Sequence, residues 1–170
     1  VMGYSLIWLL GMSGIGFGVS RMQRRIDAHK QLEGHSRKLA QAVEQSPESI
    51  VITNLDAEIE YVNEAFIRNS GYSREEALGG NPRLLQSGKT ASNAYATLWR
   101  ELTKGRLWKG ELHNKRKDGS EFIEFAIVSP LRQADGAISH YVAVKEDITD
   151  KKRLAGELDQ HRHNLEALVE

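Results

Sequence analysis

LWRELTKGRLWKGELHNKRKDG, residues 98–119, closes one periodicity and opens another. Upstream, Ala91, Ala94, Tyr95, Leu98, Trp99 and Leu102 recur at helical spacing, which predicts a helix over Ala91–Lys104 capped by Thr90 and stopped at Gly105. From Trp108 the pattern alternates: Gly110, Leu112 and Asn114 share one face of a strand, and Glu111, His113 and Lys115 share the other. Asp118-Gly119 then reverses the chain. Asn114 therefore points inward as Leu112 does. A buried amide needs a partner (a ligand edge, a backbone group or a water) or it costs about 1–3 kcal/mol. Trp99, Trp108 and Asn114 are expected to converge on one pocket, where a cofactor would sit.

Downstream, the alternation predicts strands over Glu121–Val128 and Ala137–Asp147, separated by Asp135-Gly136. Upstream, Ser49–Leu55 and Ile59–Val62 read as a hairpin turning at Asp56-Ala57-Glu58. Asn63–Ser70 reads as a short helix ending at Gly71, and Ser73 with Glu76 three residues on is a capping box. The reading is two strands, several short helices and three antiparallel strands, an α+β arrangement. Phe122, Ala126 and Val128, with Tyr141 and Ala143, read as a second apolar face of that sheet, in need of its own cover.

The flanks are helical. Residues 1–20 contain no charge and would span about 30 Å as a helix, the thickness of a membrane core. Arg21, Arg24 and Arg25 mark the cytoplasmic end, so an inner-membrane anchor with the remainder cytoplasmic is expected. Residues 21–45 read as a connecting rod with heptad character, residues 46–150 as the globular domain, and residues 151–170 as a second helix. That last helix carries Leu154, Leu158, His161, Leu165 and Leu168 at heptad steps, expected to pair in a homodimer and lead to an output domain.

Composition narrows the chemistry. Lys+Arg and Asp+Glu are both 23, so no field favours nucleic acid. There is no cysteine, which removes thiolate metal sites, nucleophilic thiols and thiol–flavin photoadducts. The histidines do not converge with other ligands, and no nucleophile stands at readable spacing from a base, so neither metal nor catalytic residues are assigned.

Four blocks carry a resemblance: AVEQSPESIVITNLDAEIEYVNEAF, GYSREEALGGNPRLLQSGKT, the 98–119 block and YVAVKEDITDKK. From about Leu39 to Asp150 the chain resembles a PAS domain. The resemblance implies a five-stranded antiparallel sheet in the order 2-1-5-4-3, helices on one face, flanking signalling helices and membership in bacterial signalling receptors. It is most similar to the FAD-binding redox sensors of nitrogen-fixation regulators and aerotaxis receptors. That similarity implies FAD contacts at Trp99 and Asn114, with Asn63, Trp108 and Leu112 around the same pocket. Haem-binding relatives use a histidine on the long helix, and Ala91–Lys104 has none. The implied function is redox or oxygen sensing coupled to a histidine kinase or diguanylate cyclase, with no enzyme activity in this segment. The alternative is a ligand-free dimerisation and relay module.

Overall fold

The structure, a computed structural model, describes residues 22–23, 27 and 29–166. The chain divides after Ala42 into two units. Residues 29–44 are helical (α1). The span expected over residues 1–20 lies outside the described residues, as does Leu168. Among the described residues no helix is long and apolar enough to cross a membrane.

The unit beginning at Val43 is built on five strands: β1 Ser49–Thr53, β2 Ile59–Val62, β3 Trp108–Lys115, β4 Glu121–Arg132 and β5 Ile138–Asp147. They pair antiparallel in the order β2-β1-β5-β4-β3, the order the resemblance implied. Strand β4 outruns its expected end at Val128 because β3 leaves it there. Beyond that point only β5 lies alongside, and Pro130, which has no N–H to give, is tolerated on an edge.

Helices α2 Glu64–Ser70, α3 Arg74–Ala77 and α4 Ser92–Thr103 fall between β2 and β3, with a 3-10 turn at Pro82–Leu85. Asn63 caps α2 by accepting from Phe66 N, and Gly71 ends it in the left-handed region at φ 77°, a conformation that costs glycine little. The Ser73–Glu76 capping box closes in both directions. The expected Thr90 cap does not form. Ala91 stands at the α4 N-cap without a side-chain bond, and the Thr90 hydroxyl is spent on the backbone of His113, accepting from its N–H at 2.8 Å. Because β3 is an edge strand, its outward N–H and C=O groups need partners, and Thr90 and Ser87 supply them.

Two apolar clusters cover the helical face of the sheet. Val51, Ile59, Val62, Phe66, Ala77 and Leu85 form one, and Leu102, Trp108, Leu112, Ala126 and Val128 form the other, under α4. The register corrects the expected second face. Gly110 stands opposite Ala126 and Asn114 opposite Phe122, so Phe122, Ala126 and Val128 share the face of Leu112 rather than opposing it. Ala143 opposite Val128 brings Tyr141 and Ala143 to that face as well. Parity within a strand does not say which parity of its neighbour it meets. The outer face carries Ile123, Phe125, Ile127, Val142 and Val144 instead, and Ile127 and Val144 are exposed.

Candidate functional site

Between the two clusters lies a cavity of about 420 Å³, within the range that holds a small organic ligand. Its apolar wall comes from the amphipathic stripe of α4, with Tyr95, Leu98, Trp99 and Leu102, and from Leu112, Val128 and Tyr141 of the sheet. Trp99 and Tyr141 meet edge to face, their ring centres 5.9 Å apart at 82°, so each holds the other's plane. The floor is polar, with Asn114 from β3 and Lys145 from β5, both buried. Asn81, Arg83 and Gln86 stand exposed at the rim.

Asn114 is inward-facing as its parity requires, and its partner is a side chain that parity alone does not identify. Its Nδ2 donates at 2.6 Å to Glu124 Oε2, and the same oxygen takes the Lys145 ammonium at 3.2 Å. Glu124 and Lys145 form an ion pair whose side chains are 2% and 6% exposed. A buried pair of this kind is kept at a desolvation cost, which its two charge-assisted hydrogen bonds offset in part. The signal that could have found it is the charged residue at a core parity in each strand: Glu124 falls between Phe122 and Ala126, and Lys145 is two residues from Ala143.

The residues singled out from the sequence divide. Trp99, Leu112 and Asn114 line the cavity together. Trp108 does not: it packs in the Leu102 cluster, and its indole lies over Gly110, where an added Cβ would stand 2.6 Å from Trp108 Cζ2. Asn63 stands apart as well. It is fully buried, its Oδ1 accepts from Ile50 N and Phe66 N, and its Nδ2 donates to Val43 O and Glu48 O. It joins Val43, β1 and α2, and its hydrogen-bonding capacity is used in doing so.

A path of hydrogen bonds runs from the sheet to the last helix, α5 Thr149–Glu166. Arg116 pairs with Asp147 at 2.6 Å and stacks over the Phe122 ring at 4.3 Å. Asp147 Oδ1 accepts from Thr149 N at 3.0 Å and from the Thr149 hydroxyl, and that hydroxyl accepts from Ile123 N at 2.9 Å. The start of α5 is thus held by Asp147. Along α5, Leu154, Leu158 and Leu165 are exposed.

The sequence profile of the PAS domain family matches residues 47–150. The nitrogen fixation regulatory protein of Klebsiella oxytoca is 35% identical over 127 residues, covering 75% of this chain and 26% of that protein. Blue-light-activated histidine kinase 1 of Erythrobacter litoralis is 30% identical over 172 residues, covering 92% of this chain and 48% of that protein. The chain thus spans about a quarter to a half of the length of these relatives. Among solved structures, a light-oxygen-voltage domain studied with a flavin analogue superposes with a TM-score of 0.62 at 26% identity, covering 74% of this chain and 96% of that one.

Proposed function

The chain belongs to the PAS domain family, and on that premise we propose that its cavity binds FAD and that the segment senses redox state within a longer signalling protein. The observation that carries this reading is the composition of the cavity: an edge-to-face aromatic pair at its wall and an amide backed by a buried ion pair at its floor. When bound, FAD supplies electron transfer with a change in the protonation of its ring. Trp99 offers an apolar face to a planar ring, and Asn114 an amide to its polar edge. Arg83, exposed at the rim, is a cation suited to a diphosphate.

A flavin analogue in a light-oxygen-voltage domain of the same fold supports flavin chemistry here. With no cysteine in the chain, a thiol photoadduct has no source, so redox response is favoured over that form of light response. The proposal includes a dimer through the exposed leucines of α5 and a covalently linked output domain, for which a histidine kinase is the first candidate given the Erythrobacter relative. It also includes membrane attachment through residues 1–20, with the sensor on the cytoplasmic side.

The test is the absorption spectrum of freshly purified protein, with chromatography of whatever heat releases. Flavin bands in the near ultraviolet and blue, with FAD released, are expected. A folded, colourless protein that takes up no added FAD overturns the reading and leaves a ligand-free relay module.

A further inference from the structure

Resting on the reading of the cavity as a flavin site, we propose that Glu124 is a positioning residue: it fixes which hydrogen-bonding atoms the cavity floor presents, and so selects a ring edge carrying an N–H beside a carbonyl. Asn114 and Lys145 line the cavity, whereas Glu124 lies behind them on β4, the strand between theirs. Its Oε2 accepts from both. A carboxylate only accepts, so the Asn114 amide must turn its NH2 toward Glu124, which leaves its carbonyl oxygen for the cavity. Among the described residues nothing donates to that oxygen, and no fully buried polar side-chain atom there lacks a partner, so Asn114 Oδ1 is open to the cavity it lines.

Lys145 is held the same way. An ammonium has three donors and one is given to Glu124, so others remain for the cavity that Lys145 lines with Asn114. Because the two side chains touch one oxygen atom, the acceptor from β3 and the donor from β5 are neighbours. The complementary ligand edge sets a donor next to an acceptor, as an imide or a ring amide does, and the pyrimidine edge of isoalloxazine is of that type. With Gln in place of Glu124, either end of the new amide can face Asn114, and the Asn114 carbonyl is no longer held toward the cavity.

Lumiflavin and its N3-methyl derivative, which lacks the ring N–H, are titrated into the flavin-free protein and followed by flavin fluorescence. The expected result is that the unsubstituted protein binds lumiflavin roughly 10-fold or more tighter than the methylated ring, the range set by leaving one buried acceptor unpaired. In Glu124→Gln that ratio falls to about 2-fold or less. Equal binding of the two flavins by the unsubstituted protein, or an undiminished ratio in Glu124→Gln, overturns the proposal and leaves the flavin reading standing.

A second measurement stands without that variant and without flavin: the side-chain amide resonances of Asn114 in the free protein. One amide proton shifted far downfield by the carboxylate supports the positioning role, and two ordinary amide protons overturn it. Failure of the unsubstituted protein to bind either flavin removes the flavin reading, and the Asn114 resonances then decide the role of Glu124 alone.

Discussion

The Tyr61 hydroxyl donates to Glu44 Oε2 at 2.5 Å, tying Glu44 to β2, and Arg74 of α3 holds the other oxygen of the same carboxylate at 2.5 Å. Burial first, and then the neighbouring carboxylate, push the Tyr61 phenol up to about 12. The hydrogen bonds from Tyr61 and Arg74 hold Glu44 below the usual carboxylate range.

These shifts set two pH limbs. The folded-state phenol is raised above its ordinary value of 10.0, so its contribution is complete below about pH 10 and is lost as pH rises toward about 12. It is worth at most about 3 kcal/mol, and less where solvent reaches the ring. Glu44 is depressed, so its contribution is present above the ordinary carboxylate pKa and is lost as pH falls through the folded value. Tyr61→Phe is expected to remove the alkaline limb of a denaturation midpoint measured against pH. If the alkaline loss is the same in the variant, the phenol is not its source.

Asn63 satisfies four backbone groups from a position with no exposed surface. Asn63→Ala strands buried donors and acceptors together and is expected to cost about 3 kcal/mol or more of stability, read from the urea midpoint. Asn63→Asp should be no better, because it sets a carboxylate against the Val43 and Glu48 carbonyls. The molecules that stay folded should hold flavin at the unsubstituted stoichiometry. Flavin lost from a folded Asn63→Ala protein would return this residue to the site.

The two tryptophans should separate in the same way. Trp99 lines the cavity and is half-buried, so Trp99→Ala is expected to weaken flavin binding by roughly 10-fold or more with a small cost in stability. Trp108 is buried in the Leu102 cluster, and Trp108→Ala is expected to cost about 3–5 kcal/mol. Gly110→Ala tests the same packing from below, since its Cβ has no room under the indole; a loss of about 1–3 kcal/mol with a shift in tryptophan emission is expected. A neutral Gly110→Ala would mean that the ring does not lie there.

Local signals carried most of the fold. The Ser73–Glu76 box, the Asn63–Gly71 helix and the five alternating segments each rest on neighbours in the chain, and each was legible. Trp99, Leu112 and Asn114 were placed in one cavity by a helical stripe and a strand parity. What stayed hidden depends on register. Glu124 and Lys145 are 21 residues apart and meet only because β4 and β5 pair with Ala126 opposite Lys145. Trp108 followed the core parity, but the absence of a side chain at Gly110 lets its ring lie over its own strand, and it does not line the cavity. Thr90 had the identity of a cap, and the unpaired edge of β3 claimed its hydroxyl first.

The start of α5 is the last place where charge and helix meet. Burial pushes the Asp147 carboxyl up, but the hydrogen bonds from Thr149 and from the Arg116 guanidinium outweigh it and hold the group below the usual carboxylate range. Its contribution is therefore present at neutral pH and lost as pH falls through the folded value. Asp147→Ala removes the acceptor for Thr149 N and leaves Arg116 without its carboxylate, at an expected cost of about 1–2 kcal/mol. The loss should be local. The Lys152 amide, bonded to Ile148 O at 2.9 Å in the first turn of α5, should exchange its hydrogen faster, while amides of β1 and β5 change little. Unchanged exchange at Lys152 would show that the turn is held by Ile123 and the helix backbone alone. Acceleration there in Asp147→Ala, and in the unsubstituted protein on acidification, would identify Asp147 as the residue through which the sheet holds the helix that leaves the domain.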